Sequence, residues 1–142
     1  MKRGYMKLEH KDITEAIIGS AFSVHSTLGY GFLEKVYQKA MQVELNSRGL
    51  NAIIEHPIKV YYRGFIVGDY FADLFVNENV VVELKVSEKY NSKDEAQLLN
   101  ELKATGISVG LLINFGREKA EFKRMALSKS AFHPRESADK TN

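Results

Sequence analysis

Apolar positions along the chain follow two different periods. Up to Gly49 they recur every three or four residues. Ile13, Ala16, Ile17, Ala21, Val24 and Leu28 form one stripe, the spacing of a helix that buries one face. Asp12 with Glu15 has capping-box spacing, and Gly29 is a natural helix stop. A second helix is expected from near Phe32, carrying Leu33, Val36, Tyr37, Ala40 and Val43 on one face and ending at Gly49.

From Asn51 the period shortens to that of strands. The stretch AIIEHPIKVYY is β-branched and aromatic but interrupted by Pro57, which predicts two short strands or one kinked edge strand. Arg63-Gly64 marks a turn, FIVGDYFADLFV a long strand, Asn77-Glu78-Asn79 a tight loop, and VVVELKV its antiparallel partner. Ser92 with Glu95 is a second capping box, opening a helix through Ala104 that Gly106 closes. SVGLLINF reads as a buried strand. REKAEFKRMAL fits either a strand or a helix, and strand is preferred. The expected organisation is one α/β domain over residues 1–127, with helices flanking a central mixed sheet. Residues 128–142 are polar and aperiodic, which predicts a flexible tail.

Composition narrows the chemistry. With 44% hydrophobic and 27% charged residues, the 142-residue chain fits one globular domain. Cysteine is absent, which excludes disulfides and thiolate metal sites. Any metal must be held by carboxylates, carbonyls or imidazole, a donor set suited to Mg2+ or Mn2+. No apolar run approaches the roughly 18 residues that span a bilayer, and MKRGYMKLEH lacks the apolar core of a signal peptide. A cytoplasmic protein without a membrane partner is therefore expected. The net charge of +2 is too small to announce nucleic-acid binding. Both ends are mildly basic, with seven Lys/Arg against four Asp/Glu from Arg117 onward. Solvated termini account for that at least as well as a phosphate-binding surface.

The segment DLFVNENVVVELK carries the sharper signal. Val80 to Val86 is apolar enough for a strand buried on both faces, yet it bears Glu83 and Lys85. Side chains two apart in a strand leave the same face. If the loop is Asn77-Glu78-Asn79, Val76 pairs with Val80, and Asp73 lies opposite Glu83. Directly opposed like charges repel, so the patch of Asp73, Glu83 and Lys85, with Phe71 and Val81 beside it, needs compensation. Lys85 can neutralise one acid, one carboxyl can hold a proton, or a divalent cation can sit between the acids. A loop of two or four residues would instead put the acids on opposite faces.

Asp73 followed by Glu83-Leu84-Lys85 resembles the D…(E/D)xK signature of the PD-(D/E)XK nuclease superfamily. Ala72 stands where that superfamily usually has proline. The order of elements is similar to its restriction endonuclease-like αβββαβ core. Upstream, Gly31-Phe32-Leu33-Glu34-Lys35-Val36-Tyr37 resembles the motif that names the GxxExxY proteins, a small branch of the superfamily. Gln97-Leu98-Leu99-Asn100, Ala104-Thr105-Gly106 and Gly110-Leu111-Leu112-Ile113-Asn114-Phe115-Gly116 are also similar to that branch. The similarity covers residues 10–127.

The resemblance implies metal-dependent hydrolysis of phosphodiester bonds, with DNA favoured over RNA and a homodimer compatible with the size. It implies Asp73, Glu83, the Leu84 carbonyl and Glu34 as metal ligands, and Lys85 as the group that orients water and offsets phosphoryl charge. Gln97 matches the glutamine of a QxxxY motif in related nucleases, but Glu101 stands where the tyrosine would be. Gln97 is then a candidate contact to water, Lys85 or DNA. Tyr37 lies on the apolar stripe and can orient Glu34, and His25 is a further candidate near the substrate. Two other readings remain: a nucleic-acid-binding module that keeps the fold without cleaving, and a structural protein with an ion-paired hairpin.

Overall fold

The computed structural model describes residues 10–88 and 91–128. Its elements run α1 (Lys11–Leu28), α2 (Glu34–Ser47), β1 (Ala52–Tyr62), β2 (Phe65–Val76), β3 (Val80–Lys85), α3 (Ser92–Thr105), β4 (Val109–Phe115) and β5 (Ala120–Ala126). The five strands form one sheet in sequential order, antiparallel except for the parallel pair β3–β4. The α3 crossover makes that pair parallel, as a strand–helix–strand unit requires. The expected mixed sheet with flanking helices is therefore observed.

Two apolar layers cover the sheet. On one face Ile17, Val24, Tyr37, Met41 and Leu45 of α1 and α2 pack on Val80, Val82, Leu84, Leu111, Ile113 and Phe115. On the other, Leu98 and Leu102 of α3 pack on Val81, Leu112, Ile58 and Ala72. Successive residues of β3 thus enter opposite layers, which is why Val80–Leu84 is buried throughout. Gly110 lets α3 approach closely, since a Cβ there would lie 2.9 Å from Leu98 Cδ1.

Helix boundaries differ from the expected ones. α1 starts at Lys11 after His10, whose φ of 56° is left-handed and whose side chain does not cap. The Asp12–Glu15 box is therefore not used, because Asp12 already lies inside the first turn, where its charge still suits the helix dipole. α2 begins at Glu34 and buries Tyr37, Gln38, Met41 and Leu45. Leu33 and Val43, placed on the buried stripe by spacing, are 79% and 70% exposed. Leu33 precedes the helix, and the buried row is Tyr37, Met41 and Leu45 at i, i+4 and i+8, which turns Val43 away from the sheet. α3 is capped by Asn91, whose side chain accepts from Lys93 N at 2.9 Å, one residue before the predicted Ser92. The sequence around REKAEFKRMAL forms β5, a strand. The predicted tail lies, beyond Ser128, outside the described residues.

β1 is one strand, not two, and passes through Pro57 as the edge of the sheet. The β1–β2 ribbon nevertheless turns over midway. Ala52, Ile54, Leu74 and Val76 face the α1/α2 layer, whereas Ile58, Tyr70 and Ala72 face α3. Between Ile54↔Leu74 and His56↔Ala72, the register brings Glu55 opposite Asp73 without a regular pair. Glu55 takes a left-handed φ of 55° there, a conformation that costs about 1–3 kcal/mol in a residue other than glycine. The turnover also leaves Phe71, expected beside the acids, 59% exposed.

Candidate active site

The three-residue loop Asn77-Glu78-Asn79 is present, and the ladder runs Val76↔Val80, Phe75↔Val81, Leu74↔Val82. That is the register that sets Asp73 across from Glu83. The next rung is made by side chains. Leu84 N donates to Asp73 Oδ2 at 2.8 Å, and Asp73 N donates to Glu83 Oε2 at 3.3 Å. The carbonyl of Asp73 accepts from Gln38 Nε2 of α2 at 3.0 Å. Side chains from two other elements thus serve every polar backbone group of Asp73, which lets β2 leave the ladder without orphaned donors or acceptors.

Glu34, at the first turn of α2, comes to the same place. It lines a cleft of about 200 Å³ with Lys35, Gln38, Glu55 and Asp73. Tyr37, fully buried, fixes the approach to that turn. Its hydroxyl donates to Gly29 O at 2.5 Å and accepts from Phe32 N at 3.3 Å, while its ring stacks on Phe115 at 4.4 Å. Tyr37 therefore orients the loop that delivers Glu34, through the loop's backbone. Lys35 pairs with Glu55 at 2.6 Å at the mouth of the cleft.

Glu83 points into the α3 layer, as its neighbour Val81 does. There it meets Glu101, which occupies the buried face of α3 with Leu98 and Leu102. Glu83 is 4% exposed and Glu101 0%, and their carboxyl groups are in hydrogen-bond contact. Gln97 Nε2 donates to Glu101 Oε2 at 3.1 Å. Glu101 Oε1 is buried without a hydrogen-bond donor. Two ionised carboxylates cannot satisfy each other, so the contact requires a proton or a cation. Lys85 supplies little relief, since its ammonium pairs with Asp94 of α3 at 3.7 Å. Lys85 forms its ion pair with Asp94, while its charge also favours the ionised form of Asp73.

The electrostatics follow from burial and crowding. Burial first, then the contact with Glu101 and the charge on Asp73, push Glu83 up to about 10. Burial also raises Glu101, against hydrogen bonds from Glu83 and Gln97 that lower it. Asp73 is raised by burial and held back by the Leu84 N–H and by Lys85. Glu34 is raised by partial desolvation and then by Asp73. Crowded acids of this kind hold protons until a cation replaces them.

Of the residues singled out in the sequence, the structure brings Glu34, Asp73, Glu83, Leu84 and Lys85 to one junction of α2, β2, β3 and α3. Gln97 reaches it only through Glu101. His25 bonds the Gly116 carbonyl through Nε2 at 2.7 Å, just past β4. Glu101, Asp94, Glu55 and Gln38 were not picked out as site residues. The one available signal was the i, i+4 spacing of Gln97 and Glu101, which makes neighbours on a helix.

A family model described as the PD-(D/E)XK nuclease superfamily matches residues 11–125. The chain belongs to that superfamily. The match includes every acid of the junction and Lys85. No curated protein matches significantly. Among solved structures, one titled "Crystal structure of SSO0001" is similar, with a TM-score of 0.53 and 15% identity, covering 75% of this chain. The matched part spans 56% of that longer chain, and the likeness shows the shared fold. The restriction endonuclease-like architecture expected for a PD-(D/E)XK protein is thus present. Among the described residues no helix is long and apolar enough to cross a membrane.

A PD-(D/E)XK fold implies a divalent cation, and the residues here fit one. The donors are oxygens, as magnesium and manganese prefer, and Glu101 Oε1 is buried with no fixed N–H or O–H donor beside it. Among the described residues, no group of three or more His, Cys, Asp or Glu is placed close enough to hold a metal ion as the side chains stand. Glu83 leans toward Asp73 N and Glu101, and Asp73 spends one oxygen on Leu84 N.

Proposed function

We propose that the protein is a metal-dependent nuclease of the GxxExxY branch, acting on DNA in preference to RNA. Its nuclease-like domain spans residues 1–127 and works in the cytoplasm, with a homodimer as a compatible assembly. The observation that carries this reading is the junction at Asp73. One carboxylate, placed where two strands part, lies across from Glu83, shares a cleft with Glu34, and has Lys85 on the adjoining strand.

Asp73, Glu83, Glu34 and the Leu84 carbonyl would hold Mg2+ or Mn2+. When bound, the cation polarises the phosphodiester and makes water a stronger nucleophile. The chain's own groups do the rest. Lys85, tethered by Asp94, orients the attacking water and offsets the negative charge that grows on the phosphoryl oxygens. Asp73, anchored by Leu84 N through one oxygen, would offer the other to the ion. Gln38 and Tyr37 position Asp73 and Glu34 without touching the reacting atoms. Glu55 and Lys35, at the rim, present a charge pair that an incoming phosphate can open.

A second reading is a nucleic-acid-binding module that does not cleave. What favours it is the buried Glu101 in place of the aromatic of related nucleases. Incubation with labelled single- and double-stranded DNA and RNA, in Mg2+, Mn2+ or EDTA, separates the two. Metal-dependent cleavage lost in Asp73→Asn and Lys85→Ala supports the nuclease. Tight binding without cleavage in either metal overturns it in favour of the module.

A further inference from the structure

The contact between Glu83 and Glu101 is not needed for the fold. An apolar residue on the buried face of α3, beside Leu98 and Leu102, would pack without the cost of burying a carboxyl group. Glu101 is instead fully buried, with Oε2 held by Gln97, Oε1 without a fixed donor, and its carboxyl group in contact with that of Glu83. Glu83 is itself an acid of the junction and is oriented from its other side by Asp73 N. Lys85, the nearest fixed cation on β3, is committed to Asp94. A buried polar atom with no partner calls for an ion or another explanation. Here either a proton shared with Glu83 or a cation can fill the place, and the ligands offered to a cation are carboxylate oxygens.

We propose that Glu101 is an additional carboxylate ligand of the divalent-cation site, reaching the ion that Glu83 holds, with Gln97 as its positioning residue. The proposal rests on the metal-dependent reading above and deepens it. It gives the site four acids, Glu34, Asp73, Glu83 and Glu101, contributed by α2, β2, β3 and α3. A fourth negative ligand raises affinity for a hard dication, because ligand charge sets binding strength in oxygen sites. It also gives Gln97 a task within the protein: its amide fixes one oxygen of Glu101 so that the other faces the ion.

The test is direct Mn2+ binding, by calorimetry and by the electron paramagnetic resonance signal of free Mn2+, without substrate. The full chain is compared with Glu101→Gln, Glu101→Met, Gln97→Ala and Asp73→Asn. Glu101→Gln and Glu101→Met are expected to bind Mn2+ about tenfold or more weakly, with Gln97→Ala intermediate. Both Glu101 variants should melt no lower than wild type without metal, since each removes a buried charge, and two shapes guard against misfolding of either. Equal or tighter Mn2+ binding by the Glu101 variants, with loss in Asp73→Asn, overturns the proposal and leaves the metal site intact. A wild-type chain that binds no Mn2+ overturns both.

Discussion

The carboxylate of Asp73 accepts the backbone N–H of Leu84 at 2.8 Å, one step beyond the last regular β2–β3 pair, Leu74↔Val82. The side chain completes the sheet where the backbone stops doing so. The same side chain is thereby fixed at the floor of the cleft that Glu34 lines. Structure and proposed chemistry meet in this one residue, and substitutions can separate them.

Asp73→Asn keeps an oxygen for Leu84 N and removes the charge. It should leave the thermal midpoint nearly unchanged while reducing metal-dependent cleavage by about a hundredfold or more. Asp73→Ala leaves Leu84 N buried without an acceptor, which costs about 1–3 kcal/mol. Urea unfolding of the two variants, beside their cleavage rates, checks the distinction.

Glu83 ties the metal-free protein's stability to pH. It is raised from an ordinary 4.5 to about 10, by burial first and then by Glu101 and Asp73. Between those values the native state keeps a proton that the unfolded chain has lost. Stability should therefore be greatest below pH 4.5 as far as this group is concerned, and should fall as pH rises toward 10. One withheld proton gives a slope of up to about 1.4 kcal/mol per pH unit. Glu83→Gln should flatten the slope and raise the melting temperature at pH 8 in EDTA, with Asp73 and Glu101 leaving a residual slope of the same sign. An unchanged pH–stability profile in the variant would count against a buried, protonated Glu83.

Lys85 contributes little to stability in this arrangement. Its partner Asp94 lies at 3.7 Å, and both side chains retain contact with solvent, so the pair is worth at most about 1 kcal/mol. Lys85→Ala should lower stability by no more than that, yet reduce cleavage by about a hundredfold or more. Asp94→Asn should reduce it less, since Lys85 loses its tether but keeps its charge. Rates and melts measured on the same preparations decide this.

Tyr37→Phe removes two hydrogen bonds that close the loop before α2. The half-buried Gly29 carbonyl and the N–H of the exposed Phe32 lose their shared partner, for an expected cost of about 1 kcal/mol. Because the loop delivers Glu34, Mn2+ affinity should also drop by a few fold. A variant that loses stability with unchanged metal affinity would confine Tyr37 to the core.

Much of this fold is legible in the chain. Alternating and helical periods located the elements except that β1 was open between one strand and two and β5 between strand and helix, and a three-residue loop was enough to pair Asp73 with Glu83. Boundaries were less legible. His10 enters α1 in a left-handed conformation that no cap residue signals, and Asn91 displaced Ser92 because its amide reaches Lys93 N. The turnover of the β1–β2 ribbon was hidden because it depends on Glu55 adopting a positive φ, which the residue type does not announce. Glu101 was hidden differently. Its position on α3 was clear, but only packing against β3 reveals that it faces Glu83 and not solvent. Burial of an acid is a tertiary fact.

The most direct test of the account is the cleavage rate of end-labelled DNA by the full chain in Mg2+ or Mn2+ against EDTA, with Asp73→Asn alongside. The account predicts cleavage by wild type in metal, none in EDTA, and a loss of about a hundredfold or more in Asp73→Asn despite an unchanged melt. Cleavage that persists in EDTA, or at wild-type rate in Asp73→Asn, would contradict it.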